Sequence, residues 1–379
     1  LSWLDTYLDY AKNNEGLESF HWWTGAAILG AVLKRNVYFS KGYYEVYPPF
    51  WLLIVSESGT KKTTSLNIGY NILSKLDTVK LLPDKSSPEA LAKALSVDEN
   101  EQEDEAQGLI FAPELANFMD NRRHNSGLVQ LLLRLADCPD SWVYRTIKGG
   151  KVPLKNVATS FIGATTSELV RECVPPIALK TGFLARFICV GGEANSKIIA
   201  FPWKDEKLEI QVLNTLYEMS LLKGAMQISK KVQEWYLTWY YTHKREFAAA
   251  SSERLRAFLQ RKPDYLIRLS IIIAVSDTQR LVLTIDSFEK ALKKLQEVEV
   301  HLQNIYTDIE ATTHGREQLM LMAQIKRFDQ GITHRQLLKN NSKILAEPEK
   351  FKKMMSLLWE TGQISVVRKG DDVIYKSKI

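Results

Sequence analysis

Residues 51–70, W-L-L-I-V-S-E-S-G-T-K-K-T-T-S-L-N-I-G-Y, decide how this chain is read. Trp51 to Val55 is a run of five apolar residues, which reads as a buried strand. A polar loop, Ser56 to Lys61, follows, and Lys62-Thr63-Thr64 opens a helix. Strand, small-residue loop, Lys-Thr and helix is the layout of a phosphate-binding loop. In that layout the loop amides and the helix N-terminus point at phosphate oxygens. Lys62 brings a charge to the β- and γ-phosphates, and the Thr63 hydroxyl sits on Mg²⁺. The usual pattern is G-x-x-x-x-G-K-[ST]. Here Ser56 and Lys61 occupy the two glycine positions, which leaves Gly59 as the residue with free backbone dihedrals. The expected nucleotide loop is therefore Ser58, Gly59, Thr60, Lys61, Lys62, Thr63 and Thr64. The competing reading is a Ser/Thr/Gly turn followed by two solvated lysines.

Downstream segments add to the first reading. Leu109 to Ala112 form a short apolar strand that delivers Glu114 at its C-terminal end. In an ATPase that position holds an acidic pair, one member supporting Mg²⁺ and the next polarising the attacking water. Pro113 replaces the first acid here, so Glu114 is the water-activating candidate; Asp137 and Asp140 are candidates for the metal's acid, with capping and turn roles as the alternative. Trp142 to Ile147 and Val152 to Leu154 flank Lys148-Gly149-Gly150-Lys151, and Gly-Gly between strands predicts a tight hairpin. Lys148 and Lys151 at its tip would grip phosphates, or would merely decorate a turn. The strand Val157 to Gly163 ends at Thr165, the place of a γ-phosphate sensor. Arg186, just before the apolar run F-I-C-V, is a candidate to reach a γ-phosphate across a subunit boundary, where an arginine speeds transfer by about 10³–10⁵.

From about residue 208 to 308 the spacing is helical. Residues 265, 266, 269, 272 and 273 form a core stripe, and Arg268 among them is either a structural arginine or a nucleotide sensor; the motifs around it favour the sensor. Trp22, Trp23, Ala26, Ile28, Leu29 and Val32 predict a core helix near the N-terminus, Ser87-Pro88-Glu89 predicts a helix start, and the acidic run 98–105 reads as an exposed loop. The segment from Lys326 onward carries twelve Lys/Arg against six Asp/Glu, which equals the +6 of the whole chain. A positive field so concentrated suggests a polyanionic partner. The tail after His314 reads as three helices, the first from about Gln318 to Arg327 and the second capped by Thr333, and a final hairpin, which makes a winged helix. Lys350, Lys352, Lys353, Arg368 and Lys369 would face phosphate or groove, unless the fold serves protein contacts alone.

Composition narrows the class. Hydrophobic content of 45% with 25% charged residues is ordinary for globular domains, and 379 residues suffice for two or three of them. The longest uncharged apolar stretch is too short to span a membrane, and Asp5 and Asp9 interrupt any signal-peptide pattern. Three cysteines without paired spacing argue against zinc and disulfides and for a reducing compartment. The expected location is the host-cell cytoplasm.

The succession S-G-T-K-K-T, S-P-E-A-L, F-A-P-E-L, D-C-P-D-S-W-V-Y-R-T, I-G-A-T-T and G-F-L-A-R-F resembles a family of AAA+-type ATPases of phages, plasmids and integrated mobile elements. The likeness covers roughly residues 20 to 310. Members often carry a basic residue before the loop lysine, as Lys61 does here; the missing acid at Pro113 is a departure. The same order is similar to minichromosome-maintenance and superfamily 3 helicases. The resemblance implies an α/β AAA+ core over 49–205, preceded by a helical segment 1–48 and followed by a helical lid 206–312 and a winged helix 313–379. It implies ATP and Mg²⁺ as cofactors and a homo-oligomer, expected to be hexameric. Lys148 and Lys151 would line a pore around single-stranded DNA, with duplex DNA at the winged helix. Arg186 would reach the neighbour's nucleotide, and Arg268 would be the second sensor. The expectation is a DNA helicase or translocase. Two alternatives stay open: an ATP-dependent initiator, loader or transposition regulator, and a non-catalytic DNA-binding scaffold with a relic pocket.

Overall fold

The apolar runs become the centre of the molecule. A computed structural model describes residues 1–82, 84–96, 105–119, 127–146, 150–175, 178–179, 182–193, 197–250, 253–310, 321–328, 330–340, 348–369 and 372–378. In chain order, α1 (Trp3–Ala11) and α2 (Glu18–Leu33) lead to a short hairpin of β1 (Val37–Ser40) and β2 (Glu45–Val46). Next come β3 (Trp51–Val55), α3 (Lys62–Leu73), β4 (Leu81–Leu82), α4 (Pro88–Leu95), β5 (Gln107–Ala112), α5 (Leu115–Met119) and α6 (Leu128–Ala136). β6 (Ser141–Thr146) pairs antiparallel with β7 (Gly150–Lys155), and β8 (Ala158–Thr165), α7 (Ser167–Cys173) and β9 (Phe187–Val190) follow.

Five of these strands make one parallel sheet in the order β4-β5-β8-β3-β9, so the fold is mixed α/β. β3, β5, β8 and β9 are buried along their whole lengths. Parallel strands covered on both faces read as near-continuous apolar runs, which is why three of them stand out in the sequence. β8 runs two residues further than its apolar core predicts, to Thr165.

α2 is apolar on every side, and thirteen of its sixteen residues are buried. A helix without a polar face has to sit inside the fold. α3 approaches it through Gly69, where a Cβ would lie 2.5 Å from both Ile28 Cδ1 and Thr24 Cγ2. α1 starts with a capping box: the Ser2 hydroxyl accepts from Asp5 N and the Asp5 carboxylate accepts from Ser2 N, both at 3.1 Å. It is fastened to the helical half of the chain, since the Trp3 indole donates to Val212 O and Leu4 N donates to Ser276 Oγ. Ser87 caps α4 with Pro88 in the first turn, as its sequence predicts. The helices Glu206–Ser220, Lys230–Ala249, Glu253–Thr278 and Ile285–Glu310 make up the helical half, and Tyr265, Leu266, Leu269, Ile272 and Ile273 are buried there.

The β6–β7 hairpin differs from the expected Gly-Gly turn. Pairing runs out to Thr146↔Gly150, which leaves three residues to close the loop. Gly150, at φ +72°, supplies the left-handed residue that three-residue hairpin loops use. Lys151 is therefore a strand residue, paired with Arg145, and not a tip residue. Lys148 lies outside the described residues.

Residues Leu1–Tyr306 form one compact unit, in which the three expected N-terminal, core and lid segments pack together, and Thr307–Ile379 form a second. In the second unit Ile332–Thr333, Asp372–Ser377 and Ile364–Lys369 make a three-stranded antiparallel sheet in that order. Residues 321–326 and the helices His334–Asn340 and Pro348–Glu360 pack with it around Ile325, Leu337, Phe351, Leu358 and Ile364. Thr333 and Gln336 close a capping box at the second helix: Gln336 N donates to Thr333 Oγ1 at 3.2 Å and Thr333 N donates to Gln336 Oε1 at 3.3 Å. No helix among the described residues is long and apolar enough to cross a membrane.

Candidate functional site

The C-terminal edge of the parallel sheet gathers most of the residues singled out above. β3 ends at Val55, and Ser56 N donates to Thr165 O at 3.2 Å, fixing the start of the loop against β8. The next backbone donor in the chain with a partner is Ser65, to Lys61 O. Between them, the amides of residues 57–64 make no hydrogen bond to any described residue. Successive free amides running into a helix N-terminus form a concave donor surface with a positive dipole behind it.

The loop is shaped by two left-handed residues. Gly59 has φ +87°, and Lys61, the cap of α3, has φ +58°. A non-glycine residue there costs about 1–2 kcal/mol. Lys61 thus adopts, at the second glycine position of the motif, the backbone that glycine ordinarily supplies. Its ammonium is held by Glu15 at 3.1 Å. Hydrogen bonding from Ile199 N, and then Lys61, keeps the Glu15 carboxyl below its usual range. Lys62 Nζ donates to Ser56 O at 2.8 Å and Glu57 O at 2.6 Å, which holds the charge over the loop. Burial lowers its pKa, with Glu57 acting in the opposite direction. Ser58, Gly59, Thr63 and Thr64 are exposed. Thr60 is different: its side chain is buried and its hydroxyl donates to Glu57 O at 2.8 Å, so only its amide is open to a ligand.

β5 stands one strand beyond β8, with Ala112 opposite Gly163, and Glu114 follows two residues later. At about 4.8 Å per strand this places Glu114's strand roughly 10 Å from that of the loop, a gap wide enough for a phosphoryl group and a water. Glu114 is exposed, and its Oε2 accepts from Asn117 Nδ2 at 2.6 Å, an orienting contact. Between the two strands Thr165 is buried, and its hydroxyl donates to Thr166 O at 3.2 Å. The residues present fit a nucleotide with Mg²⁺: free amides for phosphate, a lysine above them, and the exposed Thr63 hydroxyl on the first helical turn.

The arginines lie at the opposite edge. Arg186 closes the short 3-10 turn Leu184–Arg186 ahead of β9 and is largely buried. It donates to Gly182 O at 3.3 Å and to Asp137 Oδ2 at 3.2 Å, while its Nε is buried without a partner. Arg261 reaches the other oxygen of Asp137 at 3.6 Å. Arg268 donates to Pro49 O. Arg186, Arg261, Arg268 and Asp264 line one pocket with Trp51 and Thr159, at the N-terminal end of β3. The length of β3, about 13 Å at 3.3 Å per residue, separates that pocket from the loop of the same chain. Arg268 is therefore not brought to its own loop and stands with Arg186 instead. Asp137 serves the arginines and Asp140 pairs with Arg35, so neither reaches Thr63 as a metal acid.

Of the basic residues in the second unit, Lys352 and Lys353 are exposed on Pro348–Glu360, while the side chains of Lys350, Arg368 and Lys369 lie outside the described residues. Sequence reasoning missed Glu15, which becomes part of the site only through tertiary packing. It also missed Arg261, although the spacing of seven from Arg268 places both on one helix face.

No protein-family model matches the chain and no curated protein matches it. The functional reading therefore rests on this geometry.

Proposed function

We propose that this chain is an AAA+-type ATPase that assembles into a hexameric ring and uses ATP hydrolysis to move along or open DNA during replication of a phage or mobile element. The observation that carries the reading is the run of unpaired amides at 57–64 between a buried parallel strand and the Lys62-Thr63 helix start. The strand order supports it, since β8 is interposed between the loop strand and the strand that delivers Glu114.

In this reading the amides of 57–64 and Lys62 bind the β- and γ-phosphates of ATP, and the Thr63 hydroxyl helps to hold Mg²⁺. Mg²⁺, when bound, neutralises charge on the phosphate oxygens. Glu114, oriented by Asn117, accepts a hydrogen bond from the attacking water and directs it at the γ-phosphorus; ADP leaves and phosphate is released. Thr165 contributes at the γ-phosphate through its position beside the loop. Arg186 acts on the nucleotide of the next copy, which its place at the far edge of the sheet requires. The second unit, read as a winged helix, binds duplex DNA through Lys352, Lys353 and neighbouring cations, and the β6–β7 hairpin with Lys151 follows a single strand. Such contacts are phosphate-directed and weaken steeply with salt.

ATP hydrolysis measured with and without single-stranded DNA tests this directly. DNA is expected to raise the rate, Lys62→Ala, Glu114→Gln and Arg186→Ala to remove it, and Lys148→Ala/Lys151→Ala to remove only the stimulation. Binding of ATP without turnover under every condition overturns the motor. One observation favours a second reading, an ATP-dependent switch such as an initiator or loader: Pro113 replaces the metal's acid, and Asp137 and Asp140 are engaged elsewhere. Slow turnover without strand displacement selects it.

A further inference from the structure

His243 is a buried titratable group outside the site just described, and its partner is unusual. The residue is 1% exposed, and its Nε2 lies 2.8 Å from Leu259 O. A carbonyl oxygen only accepts, so Nε2 carries the proton and donates it. Burial lowers the pKa of the ring, which leaves that proton as the one it carries near neutral pH. Trp239, one helical turn away, stacks on the ring at 5.1 Å with 7° between the planes and fixes its direction.

Leu259 O needs a donor because of Pro263. In an intact helix the carbonyl of residue 259 accepts from the amide of residue 263. Pro263 lies inside the helix Glu253–Thr278 and has no N–H to give. Buried carbonyls are seldom left unpaired, and here a side chain of the helix Lys230–Ala249 supplies the bond.

The residues on either side of this proline hold Arg186. Two positions before it, Arg261 reaches Asp137 Oδ1 at 3.6 Å, and the other oxygen of Asp137 takes Arg186. Two positions after it, the Tyr265 hydroxyl donates to Ala185 O at 2.7 Å, within the turn that Arg186 closes. The two grips are thus one helical turn apart, on a stretch of helix that lacks a rung of its ladder.

We propose that His243 stands in for the amide that Pro263 lacks, and so keeps Arg261 and Tyr265 at the spacing that holds Arg186 in place. His243 is then a positioning residue for that arginine. The inference rests on the reading of Arg186 given above for its effect on turnover, and not for the placement itself. A proline inside a helix is where the helix bends, so without the histidine the two grips would shift relative to each other. Lys262, 2% exposed and paired with Glu299 at 2.6 Å, ties the same point to the helix Ile285–Glu310.

The test is a double-mutant cycle between His243 and Pro263. His243→Leu is expected to lower ATP turnover by about tenfold to a hundredfold, as misplaced catalytic groups do, with ATP affinity unchanged. His243→Gln, whose amide reaches the place of Nε2, is expected to keep the rate. Pro263→Ala returns the backbone amide, so His243→Leu/Pro263→Ala is expected to regain most of the loss. Exchange of the Arg186 Nε proton with solvent, followed by NMR on arginine-labelled protein, reads the placement without any turnover: that nitrogen is buried, and its exchange is expected to quicken in His243→Leu and slow again in the double variant. His243→Asn, with its amide at the place of Nδ1, replaces His243→Leu if the latter does not fold, and must then behave in the same way. Turnover and exchange both unchanged in His243→Leu overturn the inference. A loss that Pro263→Ala does not restore overturns it too, since the histidine would then act through packing alone. If wild type does not hydrolyse ATP while exchange follows the expected cycle, the placement stands and the catalytic reading of Arg186 falls.

Discussion

The two edges of the central sheet are built on opposite principles. At the C-terminal edge the backbone from residue 57 to 64 has donors and no partners, and the side chains around it are mostly open. At the N-terminal edge the charges are already engaged: Asp137 bridges Arg186 and Arg261, and a backbone carbonyl holds Arg268. Successive unpaired donors at the start of a helix favour an anion, so the loop edge has the character of a receiving surface. The arginine edge is pre-arranged, its guanidiniums held in place before anything arrives.

The comparison can be broken most forcefully at Lys62. Lys62→Ala is expected to lower ATP turnover at least 100-fold, the scale on which a single pre-organised charge acts in a transition state, with the fold intact by circular dichroism. Unchanged turnover would mean that the loop edge is not the receiving surface. The next test asks whether the two edges work within one copy or between copies. Lys62→Ala and Arg186→Ala, each inactive alone, are expected to recover part of the wild-type rate when mixed, because some contacts then join an intact loop to an intact arginine. Mixtures as inactive as their parts would place both residues in one chain's site.

Acidification probes the loop edge specifically. His21 is buried beside Asn14 and Ser65, and burial, together with Lys197, pushes its pKa down from 6.5 to about 4. The folded chain therefore resists a proton that the unfolded chain accepts. Stability is complete above about pH 6.5 and falls as the pH drops toward 4, by up to about 3 kcal/mol. Chemical denaturation of wild type and His21→Gln across that range should show a steeper decline for wild type; parallel curves would remove His21 as the cause. The smallest effect concerns Glu15→Gln, which loosens Lys61. Stability should barely change, as for a solvent-exposed ion pair, while ATP affinity, read by isothermal titration, weakens several-fold. Unaltered affinity would show that the left-handed Lys61 needs no tether.

Much of the sheet was legible because buried parallel strands advertise themselves. W-L-L-I-V, L-I-F-A and F-I-C-V became β3, most of β5 and β9, and K-T-T opened α3 at Lys62. Strands of two residues, such as β4, carry too little pattern to be read. The hairpin was misjudged because two glycines suggest a two-residue turn, whereas the ladder used Gly150 as a paired left-handed residue. The site divided along the same line. Lys62, Thr63, Glu114 and Thr165 follow strand ends, so their neighbourhood follows from topology. Arg268, Asp137 and Asp140 had partners set by the packing of distant helices and turns, which no local spacing encodes.

Gly69 determines which pieces of this unit can slide. With no side chain there, α3 lies against Ile28 and Thr24 at a distance that admits no layer between them. Close-packed interfaces of this kind resist gliding and transmit displacement as rigid bodies do. A push delivered at the loop would be carried into α2, and through the anchors of α1 into the helices around Val212 and Ser276, as the tilt of one block. The tilt of such a block is set by where it is hinged and not by how far the loop itself moves.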